Sequence, residues 1–264
     1  MNKRMLNVHK SCLVCNSNTK YFFSKDYHKF SPFPNGFKVD YLRCERCGFV
    51  FSKTHTEMSF NDWSELNSSW HHYNEQNIEM RITNQPPYVD QALAIMLLEK
   101  NGIIDLTSSL DYAAGYGSLA NVLRKYFNKD VYLFDRYVKN IEPGSMYLAE
   151  EILGKYKFVI NSAMFEHILT RDDLDCVDQK VSFDGVLMLH TVICERVPKD
   201  PNWFYLTPPV HTAFHTNKSM KLLMKQWNYS VSLYAPQAKS WFLFKEGFVN
   251  TKNLQSLIGK INEE

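Results

Sequence analysis

The sequence predicts an α/β protein: a mostly parallel sheet flanked by helices, preceded by a small cysteine-bearing module. Three observations give this reading. Short apolar runs alternate with stretches of helical period from residue 90 onward, the pattern of strand and helix succeeding one another through a layered domain. A glycine turn, Gly115-Tyr116-Gly117, separates one such run from one such helix. Near the start, four cysteines stand as two Cys-x-x-Cys pairs, Cys12/Cys15 and Cys44/Cys47.

Taken in order, the cysteine pairs come first. Each pair supplies two thiolates from one turn, the insert between them is long enough for a hairpin, and four thiolates suit tetrahedral zinc. Gly48, just after the second pair, relaxes the backbone there. Disulfides or a redox dithiol account less well for the repeated spacing. Met1 to Lys10 carries charge and lacks an apolar core, so no secretory leader is expected and a reducing cytoplasm is the expected setting. A closed four-cysteine centre leaves no open position, so the expected zinc is structural. Cys176 and Cys194 stand apart and read as small buried apolar residues.

These signals divide the chain into three segments: a zinc-binding module at 1–55, a helical connector or lid at 56–89 and the larger domain at 90–264. The connector carries Trp63, Trp70, His71, His72 and Tyr73 ahead of Pro86-Pro87. Asp90 to Lys100 reads as an apolar helix closed by Asn101-Gly102, where glycine suits a left-handed cap. Ser109 to Tyr112 reads as a strand, and Leu119, Val122, Leu123 and Tyr126 give Ser118 to Phe127 one apolar helical face. Val131 to Phe134 is the next apolar run, and Pro143 to Gly154 reads more readily as helix than strand. Asn217 to Trp227 has Met220, Leu223 and Met224 at helical spacing, and Leu254, Leu257, Ile258 and Ile261 give the tail an amphipathic period.

The glycines let the backbone turn tightly and approach a ligand closely. Gly115, Gly117 and Ala120 satisfy the loose pattern of a dinucleotide loop, a weak signal alone. Asp111 before the loop and Asp135 after the next apolar run add to it, the second placed to meet a ribose diol. The run Asp111-x-Ala113-x-Gly115-x-Gly117 resembles motif I of the class I S-adenosylmethionine-dependent methyltransferases. The match continues downstream: Lys157 to Ile160 looks like that family's fourth strand, and Asn161 with Phe165-Glu166-His167-Ile168 like the element after it. Gly185 to Thr191 looks like its fifth strand, and Tyr229 to Tyr234 with Ser240 to Phe244 like its terminal antiparallel pair.

The resemblance implies a Rossmann-like, seven-stranded, mostly parallel sheet binding S-adenosylmethionine. It implies a cofactor site of Asp111, Ala113, Gly115, Gly117, Asp135 and Asn161. It also implies that Tyr73 and Arg81, from helices before motif I, fold over the cofactor. Adenine recognition stays unassigned, because Pro143 to Gly154 offers only Glu150 and Glu151.

Methyl transfer to a hydroxyl needs a base, and histidine suits that task. His167, His211 and His215 are the candidates, with His190 a further one that could simply end a strand. His211 and His215 fall in Pro208 to His215, read as a loop over the acceptor. Trp203, Phe204 and Tyr205 offer a surface for a sugar or base, or core packing. A four-cysteine module joined to such a domain is similar to bacterial enzymes acting on sugar nucleotides and surface-polysaccharide precursors. Relatives that methylate carbon carry a further C-terminal domain not present in these residues, which directs the expectation to O-methylation of a small-molecule or glycan acceptor. An RNA base methyltransferase and a non-catalytic scaffold are the alternatives. A balance of 30 Lys and Arg against 28 Asp and Glu, net +2, argues against nucleic acid. No apolar run reaches the roughly 20 residues of a membrane span, and the oligomeric state is left open.

Overall fold

Backbone pairing sorts the strands into two sheets, each within one of two structural units. The computed structural model describes residues 11–77, 85–138, 146–251 and 259. Arg81 and the tail positions Leu254, Leu257, Ile258 and Ile261 therefore lie outside the described residues.

The first unit joins the described residues of 1–70 to Glu166–Arg171 and Val192–Leu223. Strands β1 (Thr19–Tyr27) and β2 (Phe37–Cys44) form the hairpin between the cysteine pairs, and β3 (Val50–Ser52) continues it antiparallel. Two later strands, β8 (Ile193–Cys194) and β9 (Ala213–Thr216), complete a five-stranded sheet in the order β1-β2-β3-β9-β8. The reason lies in side-chain alternation. Phe23, Tyr27, Val39 and Tyr41 turn to one face and need cover, which Tyr205, Leu206 and Phe214 provide in one buried cluster. Tyr27 Oη adds a hydrogen bond to the Leu206 carbonyl at 2.9 Å. Ser52 caps the short helix α1 (Lys53–Thr56) through a bond from the His55 amide, and the Ser59 side chain accepts from the Asp62 amide at the start of α2 (Phe60–Gln76).

The second unit takes His71–Phe165, Asp172–Thr191 and the described residues of 224–264. Helix α3 (Tyr88–Lys100) ends at Asn101 with Gly102 left-handed at φ 66°, as the sequence predicts. Then come β4 (Ser109–Tyr112), α4 (Ser118–Phe127), β5 (Tyr132–Phe134), β6 (Tyr156–Ser162), α5 (Arg171–Gln179) and β7 (Val181–His190). Strands β10 (Tyr229–Ala235) and β11 (Ser240–Lys245) and helix α7 (Glu246–Thr251) come last, after helix α6 (Asn217–Gln226), whose residues to Leu223 belong to the first unit. The sheet runs β10-β11-β7-β6-β4-β5; β5, β4, β6 and β7 are parallel, and β11 and β10 are antiparallel. Its core stacks Phe158, Ile160, Val186, Met188, Phe242 and Phe244 under Ala92, Ile95 and Leu98 of α3 and Leu119 and Leu123 of α4.

Among the described residues the sheet has six strands rather than the expected seven. Beyond β5 the edge position holds one parallel bridge, Leu133 to Tyr147, closed by Leu133 N to Met146 O at 2.9 Å and Leu148 N to Leu133 O at 2.7 Å. The helix expected over Pro143 to Gly154 is correspondingly reduced to a 3-10 turn at Glu150–Ile152. The open edge of β5 offers unpaired backbone groups, and satisfying them outweighs a weak helical period. No helix among the described residues is long and apolar enough to cross a membrane.

One polar pair is built into the second unit. Lys245 Nζ donates to Asp178 Oδ1 at 2.7 Å and to the Trp227 carbonyl at 2.6 Å, and it sits 4.2 Å from the centre of the Tyr229 ring. Its side chain is only 9% exposed. Lys245→Ala leaves Asp178 without its cation and should cost about 3 kcal/mol in urea unfolding; a loss below about 1 kcal/mol would show the pair to be energetically neutral.

Candidate active site

The glycine turn starts where β4 ends. Ala113, Gly115 and Gly117 all take positive φ, 63°, 55° and 72°, and this folds the chain back before α4. Two of these positions need glycine for different reasons. A Cβ on Gly117 would come within 3.1 Å of Leu133 Cδ1, whereas one on Gly115 meets nothing within 4 Å, so Gly115 keeps both a left-handed backbone and open space above it.

Asp135, just past β5, fastens the turn. Its Oδ2 accepts the Gly115 amide at 2.8 Å, and its Oδ1 accepts the amides of Tyr137 and Val138 at 2.8 and 3.1 Å. A carboxylate offers about four acceptor positions, so capacity remains for a hydroxyl of a ligand. Tyr147 Oη donates to the Gly115 carbonyl at 2.5 Å and fixes the turn from its other side. Sequence reasoning misses Tyr147, which lies in the stretch whose composition suggests helix.

Asp111 and Asn161 lie beneath the turn. Burial first, and the negative charge of Asp135 second, push the Asp111 carboxyl up to about 8, so it holds its proton at neutral pH. Asn161 is fully buried and donates through Nδ2 to the Tyr112 carbonyl at 3.0 Å, tying the end of β6 to the end of β4. Its amide oxygen has no protein hydrogen-bond partner among the described residues. Asp111, Ala113, Gly115, Gly117, Asp135 and Asn161 thus gather at the C-terminal ends of β4, β5 and β6, where open α/β sheets bind ligands. Tyr73, by contrast, is a 44% exposed residue of α2.

The histidines separate into distinct settings. Glu166, 3% exposed, accepts through its carbonyl from the amides of Thr212 at 2.6 Å and Ala213 at 3.1 Å, while the Thr212 hydroxyl donates to the Ile168 carbonyl at 2.6 Å. This stitching sets His167 beside His211, ring centres 5.0 Å apart at 80°. The carbonyl of Val210 lies 3.0 Å from His167 Nδ1, and that of Tyr205 lies 2.7 Å from His211 Nδ1. A carbonyl only accepts, so both Nδ1 atoms carry the proton, and in the neutral rings both Nε2 atoms are left as the basic nitrogens.

His215 is not part of this pair. It lies on β9 rather than in the loop expected over Pro208 to His215, is fully buried, and packs 4.9 Å from Phe49. The alternation that carries Phe214 into the core buries the whole short strand. His190 ends β7 with Nδ1 2.9 Å from the Lys239 carbonyl, and burial draws its basicity down. Trp203 and Tyr205 pack on Phe214 at 5.3 and 6.0 Å, which favours their core reading, whereas Phe204 is 69% exposed.

The four N-terminal thiols are free and converge. Cys12 and Cys47 are 3.7 Å apart at Sγ, Cys15 and Cys44 3.4 Å, and Cys15 and Cys47 3.7 Å. Four sulfurs on one tetrahedral zinc stand about 3.8 Å apart, so the cluster fits that ion. Val14 N and Cys47 N each reach a cysteine sulfur at 3.4 Å, and Asn16 and Gly48 supply the left-handed positions at φ 55° and 74°. Lys20, Arg43, Arg46 and Lys218 line the cleft beside the cluster together with Glu45 and Glu195, and Lys20 pairs with Glu45 at 3.4 Å.

A family model described as a methyltransferase domain matches residues 84–233, more than half of the chain. Among solved structures, a Nostoc punctiforme PCC 73102 protein assigned as an O-methyltransferase aligns at 14% identity over 60% of each chain, with a TM-score of 0.38. The plantazolicin methyltransferase BpumL, solved with a desmethyl-plantazolicin analogue and SAH, aligns at 10% identity over 70% of this chain and 96% of its own, with a TM-score of 0.44. The magnesium protoporphyrin IX methyltransferase of Synechocystis PCC 6803, with bound SAH, aligns at 13% over 63% and 86%, with a TM-score of 0.37. Likenesses this distant assign neither an acceptor nor site residues. No curated protein matches the chain.

This geometry carries two expected outcomes. Because Asp111 keeps a proton in the folded chain that the unfolded chain releases near pH 4, stability falls as pH rises from about 4 to about 8. Asn cannot ionise, so Asp111→Asn should gain on the native protein with rising pH, its melting temperature advantage growing by about 3 °C or more from pH 5 to pH 8; equal slopes in thermal melts would show that Asp111 is ionised throughout. For the cysteines, Cys44→Ser should release bound zinc and lower the melting temperature, read by metal analysis and a thermal melt, and stoichiometric zinc in that variant would refute the four-thiolate centre.

Proposed function

We propose that this chain, which belongs to the methyltransferase-domain family, uses S-adenosylmethionine to methylate a hydroxyl oxygen of a sugar, a sugar nucleotide or a surface-polysaccharide precursor. The observation that carries the oxygen acceptor is the His167–His211 pair. Both rings are anchored at Nδ1, so that Nε2 is basic in the neutral form, and a hydroxyl, unlike a nucleophile with a free lone pair and no proton to lose, needs such a group.

The cofactor supplies a methyl group on a sulfonium. Asp135 would accept from a ribose hydroxyl at the capacity its three backbone bonds leave open. Gly115 gives the cofactor an unobstructed backbone, Ala113 and Gly117 shape the turn, and Asn161 holds the ends of β4 and β6 together. When bound, the cofactor would supply a methyl group whose bond to the acceptor oxygen forms as its sulfur–carbon bond breaks, the electron pair staying on sulfur. In this reading His167 or His211 would take the hydroxyl proton at Nε2 and release it to solvent.

RNA is the weaker acceptor reading. The chain carries nearly balanced charge, and the cations around the cysteine cluster share their cleft with Glu45 and Glu195. Zinc on Cys12, Cys15, Cys44 and Cys47 is structural in this reading, since a four-thiolate ion has no open position. Free thiols of this kind accord with a reducing, cytoplasmic location.

Calorimetric titration with S-adenosylmethionine and with NAD tests the cofactor. Micromolar binding of the sulfonium compound alone is expected, and binding of NAD alone overturns the reading. Asp135→Ala should weaken cofactor binding about tenfold, the worth of one charge-assisted hydrogen bond. With sugar nucleotides as acceptors, His167→Ala and His211→Ala should each lower turnover about 100-fold while leaving cofactor affinity unchanged; turnover on RNA alone would move the acceptor to the nucleic-acid class.

A further inference from the structure

We infer that Glu166, His167 and His211 form a second metal site, for a divalent transition ion, separate from the four-cysteine centre. One carboxylate oxygen and one nitrogen from each ring lie within 4.8 Å of one another. Small side-chain rotations bring such atoms to the roughly 3 to 3.5 Å that separates ligands sharing one ion with bonds near 2.1 Å.

Three features distinguish this cluster from a chance meeting of polar groups. First, it is buried on two sides: Glu166 is 3% and His211 9% exposed, so a carboxylate and two imidazoles have been drawn together away from water. Second, each Nδ1 is held by a backbone carbonyl, at 3.0 Å for His167 and 2.7 Å for His211. Metal-binding histidines are oriented in this way, with the outer N–H on a carbonyl and the inner nitrogen presented to the ion. Third, the ligands sit on two segments cross-linked by Thr212 and Ala213 at the Glu166 carbonyl and by Thr212 at Ile168, which fixes their separation without help from an ion.

The donor set decides the ion's class. Two imidazoles and one carboxylate suit zinc, iron, cobalt, nickel or manganese, and three protein ligands leave coordination positions open. The four-cysteine centre is closed and soft, so the two sites differ in both chemistry and accessibility. An acceptor hydroxyl seated on an open position would lose its proton more readily. The metal site itself does not rest on the acceptor or on the cofactor, because its readout is bound metal.

The test uses the full chain with its cysteine centre already filled with zinc, titrated with Co²⁺ alone and followed by absorption and metal analysis. The expected result is one further equivalent of cobalt, with weak visible bands and no thiolate-to-cobalt charge transfer. His167→Ala and His211→Ala should each weaken that binding at least 10-fold to 100-fold while retaining the cysteine-bound zinc, which also reports that the fold is intact. Glu166→Gln keeps the side chain's shape and should weaken cobalt in the same direction. Failure to bind a second equivalent, or a second equivalent that both histidine variants leave unchanged, overturns the site.

Discussion

The carboxylate of Asp135 takes three backbone amides, those of Gly115, Tyr137 and Val138, and in doing so fixes two loops at once at the end of the parallel sheet. Without it, a turn with three positive φ angles would have no partner for its central amide. Burial first, and this same charge second, explain the state of Asp111. Two carboxylates close together beneath one turn do not both ionise readily, and the buried one keeps its proton while the hydrogen-bonded one carries the charge. The result is that Asp135 ties the ends of β4 and β5 together at one polar position.

The first unit rests on a different constraint. A hairpin bearing two cysteine pairs has one apolar face and too little chain to cover it. Cover comes from Val192 to Leu223, and the join is polar as well as apolar: the Thr216 hydroxyl donates to the Cys47 carbonyl at 2.6 Å, and Arg171 Nη1 donates to the Val14 carbonyl at 3.0 Å. The segment after β7 therefore shapes the surroundings of the thiol cluster even though it contributes no thiol. A metal held there stabilises long-range contacts in sequence, and so acts on the whole unit rather than on one turn.

The parts legible in the sequence are those set by local chemistry. Cysteine spacing points to the thiol cluster, and helical period with a terminal glycine points to α3 and its cap. The glycine turn between an apolar run and an amphipathic helix marks β4, α4 and the position of Asp111. Features that depend on partners distant in the chain are not legible. Tyr147 caps the Gly115 carbonyl from 32 residues away, and its short extended segment exists only because β5 leaves an edge open. Pro208-Pro209 reads as the start of a loop that runs through His215, yet pairing of Phe51 with Ala213 draws the residues after it into a buried strand. Glu166 reads from sequence only as part of a family element, since nothing local shows that its carbonyl anchors Thr212.

His211 and His215 show most sharply how four residues along the chain can place two like side chains in different settings. Both are imidazoles on the same short segment, and composition or spacing treats them alike. His211 sits before β9 begins, where the Tyr205 carbonyl can reach its Nδ1 and its ring meets that of His167. His215 sits inside β9, where the strand is buried on both sides and its ring packs tilted against Phe49. The Nδ1 carbonyl and the neighbouring His167 ring orient His211, and His215 has neither setting. The boundary of a four-residue strand thus separates the two settings, and that boundary is set by pairing with β3, not by anything within the segment itself.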